Sequence, residues 1–112
     1  MSRDLDRLEH ILEAIGRIEK YASQGKSAFQ KDELIQNWIV NHLQIIGEAA
    51  RALSPTFRKN YPEVPWKQVV GMRNIIVHVY FQIDANIVWA AVERDLPNLK
   101  TRIAEILAKI AK

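Results

Sequence analysis

The chain contains no cysteine, and only four glycines and four prolines occur among its 112 residues. Without cysteine it can form no disulfide, thiolate metal site or thiol nucleophile. No glycine-rich phosphate loop surrounds the few glycines, and the three histidines lack the spacing of metal ligands. No apolar run approaches the roughly 18 residues of a membrane span. These absences predict a soluble, cytoplasmic protein with no membrane segment and no bound metal.

Apolar residues make up 48% of the sequence, enough to bury one core. No linker, repeat or low-complexity tract divides the chain, so we predict a single domain over residues 1–112.

Apolar residues recur at three- and four-residue steps almost throughout, which is typical of amphipathic helices. The first predicted helix ends near Gly25, and the second extends from about Ala28 to Leu53. A short third helix lies between Ser54 and Tyr61, and a fourth extends from about Pro65 to Val77. Asp84 caps the last helix, which Pro97 kinks without ending. We therefore predict an all-α fold, an antiparallel bundle of four main helices plus one short helix. A mixed α/β fold has support only from the β-branched run at 75–83, which has no second strand to pair with.

Several residues on these helices have structural interpretations. A glycine destabilises an exposed helix by about 1 kcal/mol relative to alanine. The presence of Gly47 inside a helical pattern therefore predicts that another backbone crosses close to it. We interpret His10 and His42 as half-buried structural groups. The three tryptophans have apolar neighbours at helical spacing and are interpreted as core or dimer contacts; they are Trp38, Trp66 and Trp89.

The net charge of +3 is unevenly distributed. Residues 1–50 hold six Lys/Arg and eight Asp/Glu, whereas residues 51–112 hold ten and five. Between residues 51 and 73 a single carboxylate, Glu63, stands among five cations: Arg51, Arg58, Lys59, Lys67 and Arg73. This local surplus favours an anionic partner such as nucleic acid. Ordinary solvated helix surface explains so small an excess equally well.

Residues 71–81 read GMRNIIVHVYF and place Arg73, His78 and Tyr80 at fixed spacing. A guanidinium is a permanent forked cation suited to phosphate oxygens, and imidazole is the side chain that ordinarily titrates nearest neutrality. Together these are a minimal set for phosphodiester chemistry, and Tyr80 adds a phenol that can be covalently modified. The structural alternative is that Arg73 pairs with a carboxylate such as Glu48, His78 is a helix-end residue and Tyr80 packs with Phe81.

Helix geometry separates the motif residues. At about 100° per residue, Arg73 and Tyr80 share a face, whereas His78 is turned from Arg73 by roughly 140°. Either the helix ends or distorts near His78, or the site is assembled from two chains. Metal-free RNA cleavage is most simply divided between two acid/base groups, and one chain offers one suitable histidine. A two-fold homodimer would bring a second copy to a shared cleft.

The Arg-x4-His-x-Tyr pattern resembles the signature of HEPN-domain proteins, and specifically their HepT-like toxin branch. The likeness also covers IIGEAAR at 45–51 with Leu53-Ser54, then Tyr61-Pro62, Pro65-Trp66, Val88-Trp89 and Asp95-Leu96-Pro97. In order and spacing the resemblance extends from about Asp32 to Leu99. Val79 departs from the branch, in which a small or polar residue is common at that place.

The resemblance implies a small all-helical toxin of a toxin–antitoxin system, a dimeric RNA endonuclease that needs no metal or cofactor. Arg73 and His78 would be catalytic, supported by Asn74 and Glu48. The implied antitoxin is a minimal nucleotidyltransferase (MntA-like) that silences the toxin by transferring AMP to Tyr80, itself a candidate for a part in catalysis.

The substrate would be a tRNA or an mRNA, bound by the basic residues beside the motif: Arg51, Arg58, Lys59 and Lys67. Two other functions stay open. The chain could be a non-catalytic nucleotide- or protein-binding module that partners a nucleotidyltransferase, or a purely structural bundle.

Overall fold

The computed structural model describes residues 2–75 and 85–110, and every regular element within those residues is helical. The elements in order are α1 (Ser2–Ala22), α2 (Lys26–Lys31), α3 (Glu33–Arg51), α4 (Pro55–Asn60), α5 (Trp66–Gly71), a 3₁₀ turn (Met72–Ile75), α6 (Ala85–Ala90), a π-helical turn (Ala91–Asp95) and α7 (Leu96–Ile110). The prediction of an all-α fold is confirmed.

Helices α1 and α3 pack antiparallel at the centre of the fold. The buried Asp4 carboxylate, near the start of α1, accepts hydrogen bonds from the backbone N and the hydroxyl of Ser54, each at 3.0 Å, just beyond the end of α3. At the opposite end Trp38 Nε1 donates to the Arg17 carbonyl at 2.9 Å, and the Trp38 ring packs edge-on against Tyr21. The Ser54 hydroxyl also caps α4, so one side chain joins three helices.

The core lies where α1, α3 and α7 meet. Its most completely buried side chains include Leu8, Ile11, Ile15 and Ile18 on α1, Ile39, Leu43 and Ile46 on α3, and Ile103 and Ile106 on α7. Burial of each stabilises the fold by about 1.5–3 kcal/mol relative to exposure. Lys100 Nζ bonds Glu19 Oε1 at 2.9 Å, which sets the early turns of α7 beside the last turns of α1. Within residues 2–75 and 85–110, no helix combines the length and apolar character needed to cross a bilayer.

The predicted helix from Ala28 to Leu53 is wrong at its start, because the helix is interrupted at Asp32. This residue is extended, with φ −114° and ψ 107°, and its carboxylate accepts from the backbone N–H groups of Leu34 and Ile35. Gln36 Nε2 donates back to the Phe29 carbonyl at 2.9 Å. Because the side chains satisfy the backbone groups at this junction, a separate short helix, α2, precedes α3.

The predicted helix from Pro65 to Val77 is also shorter than expected. Its α-helical part ends at Gly71, and residues Met72–Ile75 continue as a tighter 3₁₀ turn. The 3₁₀ turn begins ahead of Arg73, before the β-branched run is reached. The distortion expected near His78 falls outside the described residues.

The last helix continues through Pro97, as predicted. Proline lacks a backbone N–H, and its ring crowds the carbonyl four residues earlier. The structure accommodates this with the π-helical turn Ala91–Asp95 directly before α7. The predicted cap Asp84 lies outside the described residues.

Candidate active site

Arg73 lies in the 3₁₀ turn, where its side chain reaches across to α3. Its Nη1 donates to Glu48 Oε1 at 3.3 Å, and the two side chains are 34% and 49% exposed. An ion pair this exposed contributes only about 0–1 kcal/mol to stability. Its main consequence is therefore orientation of the guanidinium. This contact fits both interpretations of Arg73, the catalytic and the structural.

Glu48 also faces a second arginine. Its other oxygen, Oε2, lies 3.6 Å from Nη1 of Arg51, which is one turn further along α3 and 61% exposed. One carboxylate thus sits between two guanidinium groups, which leaves a local surplus of positive charge. Forked cations held in this way are suited to phosphate oxygens.

The close approach predicted at Gly47 is confirmed, and the backbone that crosses there is that of Arg73. A Cβ placed on Gly47 would lie 3.0 Å from the Arg73 Cα and would overlap the Arg73 backbone N. Gly47 is buried. The missing side chain therefore lets the 3₁₀ turn rest directly on α3, which sets Arg73 next to Glu48.

The other predicted site residues are distributed around this pair. Asn74 is exposed in the 3₁₀ turn, Lys59 is exposed on α4 and Lys67 is exposed on α5. Arg58, on α4, is half-buried, and its Nε is buried with no hydrogen-bond partner in the described part of the chain.

Two of the predicted site residues, His78 and Tyr80, lie outside the described residues, as does Val79. The structure therefore brings together Arg73, Glu48 and Arg51, and the remainder of the motif stays a sequence-based prediction.

The interpretations of the other two histidines have different outcomes. His42 is buried, its Nδ1 lies 2.7 Å from the Trp38 carbonyl, and its ring packs 4.4 Å from the Trp38 ring, so its structural role is confirmed. His10 is exposed on α1, and the expectation that it is half-buried is wrong.

The tryptophans are structural, as expected. Trp66 and Trp89 are 8% and 9% exposed and belong to the core, and Trp38 packs against it.

The structure adds a surface that sequence reasoning missed, a groove between α1 and α3 that Glu48 lines from the α3 side. Arg7 and His10 line it from α1. The signal was the spacing of Arg3, Arg7 and His10, which places all three on one face of a helix. The net charge of the first fifty residues did not reveal this basic row, because acidic residues outnumber basic ones there.

Comparison with known proteins identifies the family. Residues 11–106 match the family model described as ribonuclease HepT-like. The chain belongs to this family. The predictions of the family and of a ribonuclease-family enzyme are thereby confirmed. No solved structure matches the chain.

Relatives of this HepT-like chain carry ribonuclease names. A Methanocaldococcus jannaschii protein, named as a gamma-glutamylcyclotransferase and candidate RNase, is 36% identical over 106 residues, which are 94% of this chain and 48% of that protein. The chain therefore spans about half of that relative. A candidate RNase of Caldanaerobacter subterraneus subsp. tengcongensis is 38% identical over 91% of this chain and 92% of its own length. A probable ribonuclease HepT of Thermococcus cleftensis is 34% identical over 90% of this chain and 93% of its own length.

Proposed function

We propose that the protein is a metal-independent RNA endonuclease in which Arg73 and His78 are catalytic. The observation that carries the proposal is the placement of Arg73, which the close crossing at Gly47 and the Glu48 carboxylate hold at the protein surface beside Arg51. Membership of the HepT-like ribonuclease family supports RNA as the substrate.

The chemistry follows from these groups. The RNA 2′-oxygen attacks the adjacent phosphorus, a new P–O2′ bond forms and the P–O5′ bond breaks. His78 takes the 2′-hydroxyl proton, and a second acid returns a proton to the leaving 5′-oxygen. The Arg73 guanidinium stabilises the additional negative charge on the phosphoryl oxygens in the transition state. The products are a 2′,3′-cyclic phosphate and a 5′-hydroxyl end.

A homodimer would complete the site. One chain supplies one histidine with a proposed chemical role, and a two-fold axis would place the second His78 in the same cleft. Arg51, Arg58, Lys59 and Lys67 would contact the RNA backbone, and Asn74 would help to position Arg73 or a phosphate. Three of the four basic residues, Arg51, Lys59 and Lys67, are exposed, as contacts with the RNA backbone require.

We further propose that the protein is the toxin of a cytoplasmic toxin–antitoxin pair. A minimal nucleotidyltransferase would be the antitoxin. The Tyr80 phenol oxygen would attack the α-phosphorus of ATP, releasing pyrophosphate and a proton and leaving AMP on the tyrosine. The adduct would add bulk and negative charge where substrate phosphate should lie, so cleavage would stop.

The nuclease proposal predicts RNA cleavage in EDTA. Purified wild-type protein should cut cellular RNA with the chelator present, and the new ends should accept label from polynucleotide kinase without phosphatase treatment. His78→Ala, expressed and purified in the same way, should lose nearly all activity. Equal cleavage by the two proteins would remove His78 from the mechanism. Binding without cleavage by the wild type would favour a non-catalytic binding module.

The regulation proposal predicts an AMP-sized mass increase on the intact chain after co-expression with a neighbouring nucleotidyltransferase. Tyr80→Phe should abolish the increase, while Tyr61→Phe, which removes a phenol elsewhere in the fold, should retain it. A mass increase that survives Tyr80→Phe would assign the modification to another residue.

A further inference from the structure

The groove between α1 and α3 adjoins the Arg73–Glu48 pair. Its volume is about 430 Å³, within the roughly 300–1,000 Å³ of small-ligand sites. Glu48 belongs to both features, since its carboxylate lines the groove and accepts the hydrogen bond from Arg73 at 3.3 Å. A molecule in the groove would therefore be separated from the proposed catalytic Arg73 only by the side chain of Glu48.

The apolar part of the groove comes from α3. Ile45 is 40% exposed, one of three exposed large apolar side chains among the described residues, and Ala49 and Ala52 line the groove with it. Small residues beside one exposed aliphatic side chain form a shallow apolar surface. An apolar surface of this kind can pack against the flat face of a nucleobase, which all four bases present.

The polar part of the groove comes from both helices. Arg7 and His10 line it from α1, and Gln44 lines it from α3. Arg3 continues the α1 row by helical spacing and is exposed. The nearby Asp4 carboxylate does little to repel an anionic ligand in the groove, because it is buried and hydrogen-bonded to Ser54.

We propose that this groove binds one nucleotide of the substrate RNA, next to the phosphodiester that is cut. The base lies over Ile45 and Ala49, its phosphate contacts Arg7, and Gln44 meets a polar edge of the base or the ribose. This inference rests on the proposed ribonuclease function. RNA is favoured over a protein partner because guanidinium groups border the apolar surface on both sides, Arg7 on α1 and Arg73 beyond Glu48.

Binding measurements test the proposal in the His78→Ala background, which keeps the RNA intact. The probe is a fluorescent single-stranded RNA titrated by anisotropy at several salt concentrations. Arg7→Ala should weaken binding about tenfold at low salt, the value of one lost charge-assisted contact. It should also reduce the slope of log K against log salt by about 0.7, the value for one phosphate of a single strand.

Arg17→Ala is the matched control. It removes the same charge from an exposed position on the same helix, where Arg17 pairs with Glu13 at 2.9 Å, and it should bind RNA like the parent. Equal binding by the Arg7 and Arg17 variants would overturn the groove proposal and leave the nuclease proposal intact. Failure of the wild-type protein to bind or cut any RNA would overturn the nuclease proposal itself.

Cross-linking locates the nucleotide directly. RNA that carries 4-thiouridine should cross-link under ultraviolet light to peptides from residues 3–10 or 44–52 of the full chain. Cross-links found only elsewhere would contradict the proposal. So would light scattering that shows Arg7→Ala dissociating a dimer, because the groove would then be an interface between copies of this chain.

Discussion

At the scale of single residues, the candidate site depends on how one carboxylate is shared. Glu48 faces Arg73 through one oxygen and Arg51 through the other, at 3.3 and 3.6 Å. All three side chains are at least one-third exposed, so water screens the pairs and their stabilising effect is small. We infer that Glu48 acts as a positioning residue, which aligns a guanidinium without neutralising the surface around it.

Glu48→Gln should therefore separate catalysis from stability. We expect kcat for RNA cleavage to fall about tenfold, equivalent to about 1.4 kcal/mol of transition-state stabilisation, because Arg73 loses its alignment. KM should stay unchanged or fall, since a negative charge beside the RNA path is removed. The free energy of unfolding, measured in urea, should change by less than about 1 kcal/mol.

Glu19→Gln provides the matched control. It breaks an ion pair of similar exposure, 48% for Glu19 and 52% for Lys100, between α1 and α7. Its kcat and KM should equal those of the wild type. An unchanged kcat in Glu48→Gln would leave Glu48 with a merely structural part.

At the scale of secondary-structure elements, the decisive contact is the crossing of the 3₁₀ turn over α3. Helix–helix contacts are normally separated by side chains, but here the backbone of Arg73 rests against a residue that has none. The sequence identified Gly47 as the crossing point, because glycine destabilises a helix interior and is favoured there where another backbone comes close. It could not identify the partner, since contact between residues 47 and 73 depends on how the chain folds back.

Gly47→Ala should damage both the fold and the site. The added methyl overlaps the Arg73 backbone, and forcing the turn away from α3 should lower the free energy of unfolding by about 1–3 kcal/mol. Cleavage should fall further than stability alone explains, because the Arg73–Glu48 contact lengthens. Urea unfolding and initial cleavage rates at a temperature where both proteins are folded measure the two effects.

Gly16→Ala is the internal comparison. Gly16 lies on α1, is exposed, and has nothing within 4 Å of an added Cβ. Alanine there should raise the free energy of unfolding by about 0.5–1 kcal/mol through helix propensity and leave cleavage unchanged. If Gly47→Ala behaved like Gly16→Ala, the close crossing would not matter for either property.

Local breaks between elements were the less predictable part of the fold. The apolar pattern runs through Asp32 without interruption, so the sequence suggested one helix where the structure has α2 and α3. Asp32 ends one helix and caps the next because its carboxylate bonds two backbone N–H groups. Periodicity reports which face is buried, and it does not report such a competition between side-chain and backbone hydrogen bonds.

At the scale of the whole molecule, we propose that a second chain completes the site, because metal-free RNA cleavage is most simply divided between two acid/base groups. Size measurement by light scattering should give a dimer. If both copies of His78 act on one phosphodiester, chains that are co-expressed as an equal mixture of wild type and His78→Ala should retain about one quarter of wild-type activity, since only a quarter of random dimers hold two intact chains.

Independent sites, each complete in one chain, would instead give about one half. A monomer that retains full activity on dilution would contradict the dimer proposal outright. The control mixture contains wild type and Arg17→Ala, and it should keep full activity at every ratio.

The sequence by itself determined the helical class, the family and the residues with useful chemistry, because helical periodicity and the Arg-x4-His-x-Tyr spacing are local properties of the chain. Tertiary structure alone decided that Arg73 rests on Gly47, that Glu48 stands between two arginines, and that Arg7 and His10 border a groove beside them. These are contacts between residues up to about forty positions apart along the chain. Burial of the shared core between α1, α3 and α7 creates them, and no local pattern specifies them.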